Sequence, residues 1–386
     1  MSTTASPALR GDLRGVTPFR GLGRDISGLS ADKALTASGL DWKVGRAPVD
    51  VRGHHGHKWA EGYQALVRSD NGHILDITSN KFKVHQNADT MGVFAEMASA
   101  GGLELVCAGE LDGGAEIFSV AKSTGSFEMK IPYHQRPFNP YQRPFNGHSG
   151  GQAGVTDRTE LNFILRSGHR PGSPTGIKAY ATRLWCMNGC RFTETAEAAF
   201  RLTHRSEFSS YYKDRVRDVV TAATLEFATY EEKARRMLGT PMSREESEAI
   251  VLQLLQPELL AKAARTKAVE LAELAAGRSI LDRVLDDRQD ADMDMGTGAT
   301  GTELAKEHNR GVKLILGSLD SQPGAVPGTA WNTFNAITHY VDHVRGRSAD
   351  SGVRASLFGD GDRLKKGALD LVVEFTMANG NGRDRG

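Results

Sequence analysis

Cysteine is scarce in this chain, with Cys107, Cys186 and Cys190 the three examples in 386 residues. Three thiols cannot build a disulfide framework, so a reducing cytoplasm is the expected compartment. A charge excess of either sign is also missing, since 48 Lys and Arg stand against 47 Asp and Glu. That balance excludes a uniform polycation for duplex nucleic acid and an acidic disordered chain. Long apolar runs are lacking too. No window reaches the ~18 consecutive apolar residues of a membrane span, and the opening residues 1–15 have no apolar centre of a secretion signal. No G-x-x-x-x-G-K-[ST] occurs, which leaves P-loop nucleotide chemistry without support.

What is present suffices for real cores. Hydrophobic residues make up 39% of the chain, and its length suits two or three domains. Residues 1–50 read as a polar arm with one short helix from Ser30 to Ser38, stopped by Gly39. Residues 51–205 read as an α+β core. Within it, Tyr63–Arg68 and His73–Thr78 alternate around Asn71-Gly72, a dipeptide that tolerates the positive φ angles of a tight hairpin. Met91, Phe94, Ala95 and Ala98 share one face of a helix expected over Asn87–Ala100 and ended by Gly101-Gly102. Strands are expected over Leu103–Ala108, Ala115–Ala121, Phe127–Tyr133, Thr159–Arg166 and Ile177–Cys186. Residues 206–290 turn to a helical period, with one helix over Tyr211–Leu238 and an amphipathic stretch over Ser243–Asp287 broken near Pro257. Residues 291–328 read as an acidic, Gly/Pro-rich linker with a short helix, and 329–386 as C-terminal helices over Thr329–Arg345 and Gly361–Met377. The expected fold class is α+β: an N-terminal mixed β-sheet domain with a packed helix, followed by a helical C-terminal region.

Several familiar patterns carry little. Gly296-Thr-Gly-Ala-Thr-Gly301 fits G-x-G-x-x-G, yet Asp-Met-Asp-Met precedes it where a dinucleotide fold needs a buried strand. His54-His55-Gly56-His57 lacks a cysteine or acidic partner at metal spacing and reads as a solvated loop. Cys186 and Cys190 lack a second Cys/His pair and read as packing residues. His339 and His343 stand i,i+4 with Asp342 between them, and a helix–helix polar contact outweighs a metal site there. No metal, cofactor or catalytic residue is expected.

Residues 130–190 differ from the rest. Lys130, Arg136, Arg143, Arg158, Arg166, Arg170, Lys178 and Arg183 face only Asp157 and Glu160, an excess of six positive charges inside a neutral protein. Within this stretch Gln135-Arg-Pro-Phe-Asn139 repeats as Gln142-Arg-Pro-Phe-Asn146, with Tyr133 and Tyr141 beside the copies. Cations alternating with rings suit single-stranded nucleic acid, because Arg pairs with phosphate and a ring offers a face to an unpaired base. Arg136, Arg143, Arg158, Arg166, Lys178 and Arg183 are the candidate phosphate contacts. Tyr133, Phe138, Tyr141 and Phe145 are the candidate stacking groups, and Lys81 and Lys83 extend the basic face. A second reading stands equal for the loop Tyr133–Asn146: a hairpin tip anchored on a neighbouring subunit by Phe138 and Phe145, since interfaces enrich the same residues.

Gly39-Leu-Asp-Trp-Lys-Val44, Gly62–Ser69, Lys81-Phe-Lys-Val-His-Gln-Asn87, Arg183-Leu-Trp-Cys-Met-Asn188, Phe200-Arg-Leu-Thr-His204, Ala330–Gly346 and Ser356-Leu-Phe-Gly359 together resemble the phage/plasmid-like proteins of domain of unknown function 932. The resemblance implies a mobile-element setting in a bacterial host and supplies no catalytic residues. The strand–hairpin–strand–helix order with a helical C-terminal region is similar to the layout of phage annealing proteins of the Red-beta and RecT type. The functional expectation is therefore an ATP-independent, non-enzymatic single-stranded DNA-binding and strand-annealing protein. Its expected partners are single-stranded DNA, further copies of itself in a ring or filament, and a host or phage recombination protein. The alternative is a non-enzymatic interaction protein of a mobile element, an anti-defence or host-takeover factor gripping another protein.

Overall fold

The apolar stripe of Met91, Phe94 and Ala98 produces a helix, α2, with the expected bounds Asn87–Ala100. Phe94 is fully buried, and removing such a ring from water contributes roughly 1.5–3 kcal/mol. The computed structural model describes residues 23–53, 56–131, 155–184, 188–193, 199–204, 211–255, 310–322, 325–345 and 349–380. The chain divides into two units, one made of Met1–Phe127, Arg158–Tyr230 and Ser348–Arg354, the other of Glu128–Asp157, Glu231–Arg347 and Ala355–Gly386.

The first unit opens with β1 (Arg24–Asp25), α1 (Ala31–Ser38), β2 (Val44–Gly53), β3 (Gly56–Arg68) and β4 (Ile74–Ser79). Gly39 closes α1 at φ 72°, donating its N–H to the carbonyls of Leu35 and Thr36. The stretch read as a polar arm is thus structured from Gly23 onward, with Ile26, Ala34, Leu40 and Trp42 in the core. β2 pairs antiparallel with β3 from Val44↔Arg68 to Gly53↔Gly56, with a register shift between Pro48 and Asp50. Its Ala47, Val49 and Val51 alternate with Arg46, Pro48, Asp50 and Arg52, a strand pattern inside the stretch read as a polar arm. The expected hairpin forms between β3 and β4, its turn fastened by the His73 N–H on Asn71 Oδ1. The outer face of the β2–β3–β4 sheet carries Tyr63, Ile74 and Ile77, each more than half exposed.

The larger sheet has the order β1-β5-β6-β7-β8-β10, with β9 paired to β8. Its later strands are β5 (Glu104–Leu111), β6 (Glu116–Ile131), β7 (Val155–Gly168), β8 (Thr175–Arg183), β9 (Asn188–Cys190) and β10 (Ala199–Leu202). The recorded pairings are antiparallel in both sheets. The two strands expected over 115–133 are one. Gly125 does not take a left-handed φ, and its N–H is held by Ser123 Oγ at 3.0 Å, so the backbone runs on extended. Phe118, Phe163 and Tyr180 lie in the core, and Phe127 and Phe192 pack on Phe227 and Tyr230 of helix α3 (Tyr211–Gly239).

The second unit is helical. α4 (Arg244–Leu255) covers the start of the expected 243–287 stretch, and 256–309 lies outside the described residues. α5 covers 310–318 and α6 Ala330–His339. Thr329 caps α6 by accepting the Asn332 N–H. The single helix expected over Thr329–Arg345 gives way after His339 to a π-turn, Tyr340–Val344. Asp342 within that turn is fully buried and accepts from Lys365 Nζ at 2.7 Å, Lys365 being buried on helix α8 (Asp360–Gly380). A further helix, α7 (Ala349–Phe358), lies where no element was expected. Among the described residues no helix is long and apolar enough to cross a membrane.

Candidate functional site

The turn between β7 and β8 is set by Arg170-Pro-Gly-Ser173. Proline suits the second position of a type II turn and glycine the third, and Gly172 takes φ +80° while the Ser173 N–H reaches the Arg170 carbonyl. A charged cluster fixes this turn from beneath. Arg166 donates to Glu116 Oε1 at 2.8 Å and to Ser173 Oγ at 2.7 Å, and Arg170 donates to Asp112. Glu116 is fully buried, so the arginines around it offset a desolvation cost of several kcal/mol.

Opposite the turn, residues 79–85 leave β4 and meet the end of β10. The Lys83 N–H donates to the His204 carbonyl at 2.7 Å, and the His204 ring returns a bond from Nδ1 to the Lys83 carbonyl at 2.8 Å. Nε2 of the same ring bonds the Ser173 carbonyl at 2.9 Å. His204 therefore ties three segments together. It is sandwiched between Phe82, with centroids 4.3 Å apart, and His85 at 4.5 Å.

These segments enclose a cleft of about 750 Å³ lined by Ser79, Lys81, Phe82, residues 171–174, Arg201, Thr203 and His204. Lys81 and Arg201 are exposed, and among the described residues no carboxylate lines the cleft. Arg201 stands opposite Gly176 on β8, whose missing side chain leaves the cation free of a cross-strand neighbour. Behind the cleft His169 is buried and neutral. Asn87 Nδ2 donates to the carbonyls of Leu40 and Trp42, so Asn87 Oδ1 accepts from His169 Nε2 at 2.9 Å. Burial, then the neighbouring His204, His85 and Arg68, push the His169 pKa down to about 3.

Among the described residues, the expected site residues are not brought together. Tyr133, Arg136, Phe138, Tyr141, Arg143 and Phe145 lie outside the described residues. Arg166 is committed to Glu116, and Arg158 lies 3.3 Å from the buried Glu160 carboxylate, which Lys122 also reaches at 2.9 Å. Arg183 is buried, opposite Asn188 of β9. Lys178 is half-buried on β8 opposite Ala199. Lys81 and Lys83 are exposed, and among the described residues Lys81 is the one expected cation in the lining of the cleft. Arg201 and His204 were not singled out as site residues. Their signal lay in the Phe200–His204 segment, and that of the turn in Arg-Pro-Gly-Ser.

Among the described residues no group of three or more metal-ligating side chains is found. His339 and His343 have ring centroids 4.9 Å apart, and burial lowers the His339 pKa to about 4. His57 pairs with Asp50 at 2.8 Å, while His54 and His55 lie outside the described residues, as do Cys186 and the Gly296–Gly301 segment. Gly147-His-Ser-Gly-Gly151 has the G-x-S-x-G spacing of a nucleophile elbow and also lies outside them. Cys107 is buried, and burial raises its thiol pKa, which keeps it an unreactive packing group.

No curated protein and no solved structure matches the chain. A family model described as a domain of unknown function, DUF932, matches residues 74–358, which include the cleft, its turn and the buried Asp342. On that match over most of its length, this chain belongs to the DUF932 family.

Proposed function

We propose that this protein binds single-stranded DNA along the Lys81–Arg201 cleft and lets complementary strands anneal without ATP, acting as a homo-oligomer in the bacterial cytoplasm. The observation that carries the reading is a recess with two exposed cations and, among the described residues, no carboxylate in its lining, in a chain of formal net charge +1. A local positive recess concentrates phosphate without making the whole molecule a polycation. The order β2–β3–β4–α2 is a strand, a hairpin and a helix, without the further strand between hairpin and helix that the expected layout has. The Arg/Phe repeat at 135–146 would add stacking groups outside the described residues. No catalytic or cofactor chemistry is invoked.

Anisotropy of a labelled oligothymidylate over a salt series tests this. Each neutralised phosphate contributes about −0.7 to the log–log slope on single strands. The Lys81→Ala/Arg201→Ala variant removes two contacts, so its slope should be shallower by about 1.4 and its low-salt affinity at least ~10-fold lower. Absence of binding at low salt, or an unchanged slope in the variant, overturns the proposal.

A second reading rests on the exposed Tyr63, Ile74 and Ile77 face of the three-stranded sheet. Such a face suits a protein partner, as a non-enzymatic mobile-element interaction factor would need. A protein that ignores nucleic acid and stays monomeric by light scattering favours it.

A further inference from the structure

Both ring nitrogens of His204 face backbone carbonyl oxygens, Lys83 at 2.8 Å and Ser173 at 2.9 Å. A carbonyl has no proton to give, so each bond requires a hydrogen on the ring. A neutral imidazole carries one such hydrogen and leaves the other nitrogen's lone pair pointed at an oxygen. The imidazolium carries two and satisfies both contacts. The ring is buried, its neighbours Phe82 and His85 stack on its two faces, and among the described residues no carboxylate is recorded against it.

We infer that His204 serves the cleft as an imidazolium, a third cation beside Lys81 and Arg201 whose protonation is coupled to binding of a phosphate-bearing ligand. The inference rests on the cleft being an anion site and extends that reading to its control. Among the described residues, the charged and titratable groups around the ring are Lys81, Lys83 and His85 on the segment after β4, Arg201 on β10, and Arg170 at the turn. Through Ser173, Arg166 and Glu116 stand behind them, and His169 lies beyond. Glu116, the carboxylate in this set, is already shared among Arg166, Arg170 and Arg354. A proton on His204 therefore adds charge to a positive neighbourhood, and an anion in the cleft relieves it. By reciprocity of linkage, the anion raises the ring's proton affinity and the proton raises the anion's affinity. Neutralising the ring also breaks one of the two carbonyl bonds and loosens the junction of β10 with the turn or with Lys83.

Long-range ¹H–¹⁵N correlation of the His204 ring reads its protonation directly. The full chain is titrated from pH 5.5 to 8.5 alone, with sulfate as a non-titrating phosphate mimic, and with oligothymidylate. Both nitrogens should show the protonated signature at the acid end, and the midpoint should move upward when either anion is added. Oligothymidylate affinity should fall as pH rises through that midpoint, approaching tenfold per pH unit for one coupled proton. The Lys81→Ala/Arg201→Ala variant should bind more weakly yet keep that pH profile, which His204→Gln should lose. A ring that is a neutral tautomer at pH 5.5, or a midpoint unmoved by both anions, overturns the inference. A midpoint that shifts with sulfate while oligothymidylate never binds upholds it and overturns the nucleic-acid reading of the cleft.

Discussion

At the scale of single residues, the first unit holds buried polar side chains whose partners fix the direction of their hydrogen bonds, Asn87 foremost. Asn87 sits at the start of α2 and spends both amide hydrogens on the carbonyls of Leu40 and Trp42 while accepting from His169. That arrangement needs a proton on His169 Nε2, while the buried Nδ1 has no hydrogen-bond partner to hold a second one, in agreement with a pKa near 3. The ordinary histidine value is about 6.5, so the unfolded chain takes up a proton that the fold refuses. The contribution of His169 to stability is whole above about pH 6.5 and declines as pH falls from there towards 3, by as much as about 1.4 kcal/mol per pH unit. His169→Gln keeps a donor for Asn87 and removes the titration. Urea unfolding between pH 7 and 4 should show the variant losing less stability per pH unit than the parent. Equal slopes would contradict this account.

At the scale of elements, what decided legibility was whether the governing partner lies nearby in sequence. The α2 stripe and the Asn71-Gly72 turn are local signals, and both were readable. β2 carries a local signal too, Ala47, Val49 and Val51 alternating with Arg46, Asp50 and Arg52, and its charges and Pro48 led it to be counted with the polar arm. The cleft was least legible, since it joins residues 79–82, 171–174 and 201–204. Counting charge along residues 130–190 favoured Arg166, whereas its partner Glu116 lies 50 residues earlier and takes that charge out of play. The same logic applies to the π-turn after α6. Its Asp342 was read as a residue between two histidines, but it faces Lys365 and Ser356, both buried. Removing one partner of such a pair leaves a stranded charge, at a cost of about 3–5 kcal/mol. Lys365→Met should therefore lower the unfolding free energy by that amount. Lys365→Met with Asp342→Asn should recover much of it, because no net charge then stays buried. A chemical-denaturation double-mutant cycle measures the coupling, and additive losses would refute it.

At the scale of the whole molecule, the near-zero net charge is an arrangement rather than an absence. Buried carboxylates neutralise Arg158, Arg166 and Arg170, leaving Lys81 and Arg201 exposed around the cleft. Two such cations hold few phosphates, so a protein that anneals strands by this route must line up several clefts along one strand. Under the proposed annealing function, the exposed face of the β2–β3–β4 sheet would serve as the contact between copies, whereas under the second reading it would take another protein. Tyr63 and Ile77 lie on one face of adjacent strands, where Tyr63 pairs with Ser79 and Ala65 with Ile77. Burying both side chains between copies contributes about 3 kcal/mol, or roughly two orders of magnitude in association constant. Tyr63→Ser with Ile77→Ser should therefore shift the assembly to monomer in sedimentation velocity. Annealing of complementary strands should fall with it, while affinity for an oligonucleotide short enough to fill one cleft stays unchanged. An assembly that sediments as before would remove the sheet face from the contact. Annealing that survives dissociation would mean that one cleft suffices.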